Sequence, residues 1–310
     1  MNGIPGGHNT LSDSQIREIL TQASETGIAA VEWLGGEPLL RETVFEHMGL
    51  AAGLGLRNNV WTGGLPLKHP RVAARCAEYA RVGLISVHVP TVDPELYPRL
   101  HPDRPRTDLQ DILSGVRTLL DLGYPPEQML NSMTLTGWQS AEDAIRTIDF
   151  FESEYGIKTS LNVYHTYLRP GAPEGTLASF VPDDEEVDRV YERWARQVGD
   201  GPLPMNCVDK FYCSTTVAVL CDGSVTPCAT IREPDAPSVH DGATLGAILD
   251  EHRDHLVFKP FKDEENLPES CRQCFLGDRC WGCRSRAYAA GRGIYGKDPR
   301  CFRFPDGDDG

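Results

Sequence analysis

A chain of 310 residues with 40% apolar residues and a mean hydropathy of −0.35 is long enough for a domain of about 200 residues and a second of about 100. Its 45 acidic against 30 basic residues give a net charge of −15 spread along the chain, which argues against a nucleic-acid groove. No apolar run reaches the roughly 18 residues of a membrane span, and no signal peptide is evident, so a cytoplasmic protein with no membrane partner is expected.

Residues 1–9 are Gly-rich and loop-like. Ser12 reads as an N-cap, with Gln15 three residues on completing a capping box. Ile16, Ile19, Leu20 and Ala23 repeat at helical spacing, and Gly27 stands where such a helix stops. Residues 29–34 form a short apolar strand that runs into Gly35-Gly36-Glu37-Pro38. Alone, that tetrapeptide is a tight turn with Pro at a helix start. A helix over 40–54, a strand over 58–61 and the turn Thr62-Gly63-Gly64 follow. Further on, the pattern predicts a helix over 68–82, a strand over 84–89 and a helix over 107–122. A strand over 129–135, a helix capped by Ser140 and ending near Tyr155, and a strand over 158–164 complete the alternation. Five strands alternating with helices mean parallel strands and crossover connections, hence an α/β barrel or part of one.

Residues 165–181 form a loop, and 183–198 an acidic-capped helix. Pro202-Leu203-Pro204 marks a boundary, so residues 1–200 are expected to form one domain and 201–304 a second, with 305–310 a frayed tail. Within the second, 217–220 and 224–227 flank Asp222-Gly223, a hairpin signal. A short helix is expected over 246–256. Tyr164, His165, Tyr167 and Arg169 cluster after the last barrel strand, where such folds place substrate contacts. A packed aromatic loop is the plainer reading of them. Cys76, among alanines on a helix, reads as a small core residue, and Cys221 beside the hairpin turn as structural.

Nine of the ten cysteines fall between Cys207 and Cys301. Apart from Cys221 they are Cys207, Cys213, Cys228, Cys271, Cys274, Cys280, Cys283 and Cys301. Eight thiols make two sets of four, and four thiolates hold one iron–sulfur cluster or one zinc. The group Cys271-Arg-Gln-Cys274 with Cys280-Trp-Gly-Cys283 is the most specific local signal. Disulfides need an oxidising compartment. Two structural zincs satisfy the same ligand count.

The whole run resembles the SPASM domain, the C-terminal extension of many radical SAM enzymes. Cys213, Gly223 and Cys228 match the first part of that pattern. Cys271, Cys274, Cys280 and Cys301 match the rest, and Cys207 supplies the extra ligand of members with two full clusters. The spacing from Cys280 to Cys283 is one residue shorter than the family's. The resemblance implies two auxiliary [4Fe-4S] clusters, one on Cys207, Cys213, Cys228 and Cys283, the other on Cys271, Cys274, Cys280 and Cys301. Gly35, Gly36, Glu37 and Pro38 match the motif whose backbone binds the methionyl ammonium of S-adenosylmethionine in that family, with Glu37 adding charge and an acceptor. Thr62-Gly63-Gly64 occupies the place of the family's Thr-Asn-Gly turn. Either Ser86 or His88 stands where the family has a Ser touching the cofactor, and Arg99 is a candidate partner for its carboxylate.

The implied fold is a partial (β/α)6 TIM-like barrel lacking its first strand, plus a small cysteine-rich SPASM domain with a β-hairpin. The implied activity is reductive cleavage of S-adenosylmethionine to a 5′-deoxyadenosyl radical that takes hydrogen from a peptide or small molecule. An electron donor of the flavodoxin or ferredoxin type goes with it. The family's C-x3-C-x2-C triad, which holds a third [4Fe-4S] cluster, is absent, since no cysteine precedes Cys76. The triad belongs to the loop after strand one, and strand one is the strand not counted. The expectation is therefore a start placed at an internal Met just beyond the triad, because residues 29–34 otherwise form an apolar edge. A non-catalytic relative using its clusters for electron transfer or as a scaffold is the alternative, and a zinc-stapled binding module a third. Sulfatase-maturing members carry an Asp after the third ligand of the first cluster. Here that position is Ala229, which counts against that activity.

Overall fold

The computed structural model describes residues 11–163, 178–198, 215–275, 280, 282–301 and 304. The predicted loop of residues 1–9, the cluster Tyr164, His165, Tyr167 and Arg169, the Pro202–Pro204 boundary, Cys207 and Cys213, and the 305–310 tail lie outside these residues.

The chain divides into two compact units, residues 1–133 with 139–160, and residues 134–138 with 161–310. In the first, α1 (Asp13–Glu25) begins at the expected capping box. The Ser12 Oγ accepts from the Gln15 N–H at 3.3 Å, and the Gln15 side chain accepts from the Ser12 N–H at 2.9 Å. β1 (Ala30–Trp33), β2 (Arg57–Thr62), β3 (Ile85–Val87), β4 (Met129–Leu135) and β5 (Lys158–Val163) form one sheet in the order β1-β2-β3-β4-β5. β1 to β4 pair in parallel. This is the α/β partial barrel that the alternation implies, and its sheet is open, with β1 at one end of the order. Every residue of β1 is half-buried, whereas every residue of β3 is buried, as an end strand and an inner strand differ.

The crossover helices are α2 (Val44–Gly53), α3 (Pro70–Tyr79), α4 (Tyr97–Leu100), α5 (Thr107–Asp121) and α6 (Ala141–Tyr155). Met48, Val60, Leu67, Ala73, Cys76, Ile85, Ile112, Val116 and Leu119, among others, fill the core between helices and sheet. One polar residue is built into that core. Asn58 on β2 donates from Nδ2 to the carbonyls of Met48 and Tyr79 at 3.0 Å each, and its Oδ1 accepts from the Trp33 indole at 2.8 Å. It thus joins α2 and the end of α3 to β1, with both its amide hydrogens and its oxygen engaged.

Helix α2 starts later than the sequence predicts. A 3₁₀ turn, Pro38–Leu40, comes first, and α2 follows at Val44. The interruption is ionic. Asp13 Oδ1 accepts from Arg41 at 2.5 Å, Thr43 at 2.8 Å and His47 at 2.9 Å, which fixes the Arg41–Thr43 corner against the start of α1. Those hydrogen bonds, Arg41's first, hold the Asp13 carboxyl well below the usual range.

The second unit carries α7 (Asp184–Val198), the hairpin β6 (Ala218–Val219) and β7 (Val225–Thr226), and the helices α8 (Leu245–Glu251), α9 (Glu269–Arg272) and α10 (Arg284–Ala289). The hairpin is shorter than predicted but turns at the predicted Asp222-Gly223, with the Leu220 N–H donating to the Ser224 carbonyl at 2.8 Å. α8 ends at Glu251, and a single π turn, Asp254–Phe258, continues to Lys259, whose φ of 53° stops it. Among the described residues no helix is long and apolar enough to cross a membrane.

Candidate functional site

In the first unit, the singled-out residues lie at the C-terminal ends of β1, β2 and β3. Gly35 and Gly36 follow β1 with φ of 90° and 56°. Both are left-handed, a conformation that glycine adopts most readily, and both are exposed. Their N–H groups have no partner among the described residues. Glu37 caps the 3₁₀ turn, accepting from the Leu39 N–H at 3.1 Å. The same carboxylate accepts from the Thr62 hydroxyl and from the Gly63 N–H, each at 2.8 Å. The Gly64 N–H in turn donates to the Thr62 hydroxyl at 3.0 Å. Glu37 therefore locks the turn after β1 to the turn after β2, and the glycine backbone is left facing solvent.

Ser86 on β3 and His88, the first residue beyond it, lie two residues apart, and the extended alternation sets both toward the same side of the sheet. Ser86 is in register with Trp61 on β2 and Leu130 on β4. It is 1% exposed, and its Oγ has no hydrogen-bond partner among the described residues. The His88 Nδ1 lies 2.8 Å from the Ser132 carbonyl. A carbonyl only accepts, so Nδ1 carries the proton and the neutral ring keeps its lone pair on Nε2. Burial lowers the His88 pKa against the raising effect of that carbonyl. His101 stands edge-on to His88 with ring centroids 5.6 Å apart, and Tyr97 lies 4.9 Å from His101. Burial first, then His88 and Arg104, holds His101 down at about 4. On the same face Asn59 donates to Glu32 at 2.5 Å, and the Trp61 indole donates to the other oxygen of that carboxylate. A barrel interior filled for stability alone is made of branched apolar side chains. This face instead presents Glu32, Asn59, Trp61, Ser86 and His88. Arg99 is exposed on α4.

In the second unit no disulfide joins the described cysteines Cys228, Cys271, Cys274, Cys280, Cys283 and Cys301 to one another. Cys228 and Cys271 pack against one apolar cluster of Ile231, Phe261, Leu267 and Ile294. Burial raises the Cys271 thiol, and the charges of Cys301 and Cys274 raise it further. Burial likewise pushes Cys280 up to about 12, helped by Cys301 and Cys271 and opposed by the Gly282 N–H, 3.3 Å from its sulfur. Cys271, Cys274, Cys280 and Cys301 thus stand in one electrostatic neighbourhood. Among the described residues no three His, Cys, Asp or Glu side chains close on the position of a single metal ion.

Cys283 is tied down differently. Its N–H donates to Asp298 at 2.6 Å. Asp298 forms a two-pronged pair with Arg286, Nε to Oδ1 at 2.9 Å and Nη2 to Oδ2 at 2.7 Å, and Arg286 reaches Asn162 at 3.3 Å. Burial works to raise the Asp298 carboxyl, and the Arg286 charge and hydrogen bond, with the Cys283 and Arg300 N–H groups, together outweigh it, so it is lowered. Arg284, Arg286 and Asp298 are all buried and were not singled out from sequence. Their signal was present as Arg-x-Arg directly after Cys283 and Asp three residues before Cys301. Cys76 sits in the core of the first unit, its thiol pushed by burial to about 12, and Cys221 is exposed at the hairpin turn.

Compared with known proteins, residues 2–151 match the model of the Radical SAM superfamily. The PqqA peptide cyclase of Gluconobacter oxydans (strain 621H) is 25% identical over 309 residues, spanning 93% of this chain and 80% of its own. A probable GTP 3′,8-cyclase of Methanothermobacter thermautotrophicus is 24% identical over 247 residues, spanning 73% of this chain and 77% of its own. Among solved structures, native anSMEcpe with bound AdoMet and Cp18Cys peptide superposes with a TM-score of 0.66 at 13% identity, over 94% of this chain and 86% of that one. This last likeness is one of fold.

Proposed function

Residues 2–151 belong to the radical SAM superfamily, and from that premise we propose that the chain is a radical SAM enzyme of the SPASM type that modifies a peptide. What supports the SPASM part is the cysteine run itself, with Cys228 and Cys271 packed on one apolar cluster and the Gly282 N–H 3.3 Å from the Cys280 sulfur. Cys271, Cys274, Cys280 and Cys301 would hold one auxiliary [4Fe-4S] cluster. Cys228 and Cys283, with Cys207 and Cys213 from outside the described residues, would hold the other. Two relatives favour a peptide over a small molecule, the PqqA peptide cyclase and anSMEcpe solved with its Cp18Cys peptide. The GTP cyclase likeness keeps a small-molecule substrate as the other class.

The first unit suits S-adenosylmethionine. The exposed C=O groups of Gly35 and Gly36 would accept from its ammonium end, in a turn that Glu37 and Pro38 keep rigid. Ser86 brings a buried hydroxyl that lacks a partner, which a polar ligand on that face would satisfy. His88 would present its Nε2 lone pair to the same face, and Arg99 would pair with a carboxylate. When bound together, a reduced cluster and S-adenosylmethionine supply a carbon radical able to take hydrogen from substrate. The C-x3-C-x2-C set for that cluster does not occur in these 310 residues, whose first cysteine is Cys76. A non-catalytic iron–sulfur relative is the second reading.

Anaerobically prepared protein tests both. Two cubes require about eight irons per chain. Calorimetry should detect binding of S-adenosylmethionine, while dithionite should release no 5′-deoxyadenosine from this chain. Zinc in place of iron would replace the reading by a zinc-stapled module, and iron without any heat on adding S-adenosylmethionine would favour the non-catalytic relative.

A further inference from the structure

Arg284 is a buried cation without an anion. It is 2% exposed, the first residue of α10, and directly follows Cys283. Its Nη1 donates to the carbonyls of Ile294 at 3.1 Å and Gly296 at 2.8 Å. Its Nε and Nη2 have no partner among the described residues. The neighbouring Arg286 differs in every respect that matters, because Asp298 and Asn162 occupy all three of its nitrogens. Asp298 is therefore engaged, and no acid among the described residues pairs with Arg284.

A backbone feature makes room for this side chain. Gly282 has φ of 65°, and a Cβ there would sit 2.7 Å from the Arg284 Nη2 and 3.0 Å from the Asp298 Cβ. The unpartnered Nη2 thus lies against Gly282, whose N–H is 3.3 Å from the Cys280 sulfur. Its charge also reaches Cys271, where it opposes the raising effects of burial and of Cys301 and Cys274. A buried charge without a partner, and each buried donor left unmade, costs stability. An anion seated among the thiols would remove both costs, and a cube held by four thiolates is an anion.

Resting on the reading above that Cys271, Cys274, Cys280 and Cys301 hold a cluster, we propose that Arg284 is the built-in counter-charge of that cluster. Its free Nε and Nη2 donate to the sulfur atoms of the site, and its charge raises the reduction potential of that centre alone. Hydrogen bonds to the sulfurs and net charge around them are among the factors that set such potentials. Reduction adds an electron to an already negative centre, so a fixed cation beside it stabilises the reduced form more than the oxidised one.

The test uses the full chain, loaded with iron and sulfide under anaerobic conditions, with R284Q and R284K beside the wild type. Iron and sulfide are counted first, and the centres are then titrated by EPR at defined potentials. In R284Q one midpoint should move to a more negative potential while the other stays in place. Wild-type midpoints for both centres in a fully loaded R284Q would overturn the assignment. Should R284Q lose one cluster, R284K decides, because it keeps the charge without the planar fork. Full iron and a midpoint near that of the wild type uphold the counter-charge, and loss of the cluster from both variants overturns it. A wild-type chain that holds no iron overturns the cluster reading itself, and that failure is seen before any variant is made.

Discussion

Glu37 shows how a residue legible in sequence takes a role that the sequence does not announce. The tetrapeptide Gly35–Pro38 stands out because glycine and proline punctuate the chain, and the expected role for Glu37 was an acceptor for a ligand's ammonium group. In the structure three donors occupy the carboxylate, and two of them come from the turn after β2. That turn is about 25 residues away along the chain and adjacent only because β1 and β2 pair, so local sequence could not place it there. Removing the carboxylate should act through the turn. Glu37→Ala leaves the Leu39 and Gly63 N–H groups short of an acceptor, at about 1–3 kcal/mol for each that stays dry. Urea unfolding should show the loss, and calorimetry a weaker grip on S-adenosylmethionine, with Glu37→Gln between. A variant of unchanged stability would mean that the carboxylate does not hold the turn. The choice posed between Ser86 and His88 has a simpler outcome. Residues two apart on a strand share a face, so both front the same side, and this much was readable from the pleat. What was not readable is that the Ser86 hydroxyl is left unbonded there while Ser132 takes the His88 Nδ1.

At the scale of elements, the signals that read well were those enforced locally. The Ser12 capping box and the Asp222-Gly223 turn each need only four residues. The start of α2 was misplaced because Asp13, on another helix, gathers Arg41, Thr43 and His47. The hairpin also shows why its glycine matters beyond the turn. Gly223 has φ of 83°, and a Cβ there would lie 2.4 Å from the His240 ring and 2.9 Å from the Ser238 Oγ. Its own N–H donates to Leu220 and its carbonyl accepts from the Val239 N–H at 3.0 Å, so the turn is stitched to the following loop. Gly223→Ala should therefore destabilise the chain by more than about 1 kcal/mol, the level at which glycine-to-alanine changes in incompatible conformations begin. Adding His240→Ala should relieve only the contact, because the backbone conformation remains. Thermal unfolding of the single and double variants checks this, and full recovery in the double variant would assign the whole effect to the ring.

For the whole molecule, the strand–helix alternation and the clustering of the thiols were both visible before any coordinates. The charged network among those thiols was not, since Arg284, Arg286 and Asp298 read as ordinary surface residues until their burial is known. The two units differ in what holds them. The first has a broad apolar core running from Leu39 to Ile157. The segment that bears Cys228 to Cys301 is built from short elements, and Cys228 and Cys271 pack against the buried Ile231, Phe261, Leu267 and Ile294. Where elements are this short, a bound metal group supplies part of the folding free energy, because the ligand set does not exist in the unfolded chain. Stripping iron from the full chain should therefore loosen the second unit selectively. Hydrogen exchange read by mass spectrometry should rise in peptides covering 215–275 and 282–301, above all at α10, where Arg284 would lose its counter-ion. Peptides from α2, β2, β3 and α5 should keep their protection. Equal loss in both regions would mean that the metal group stabilises the chain as a single cooperative body. No change in either would mean that these thiols do not serve as its ligands.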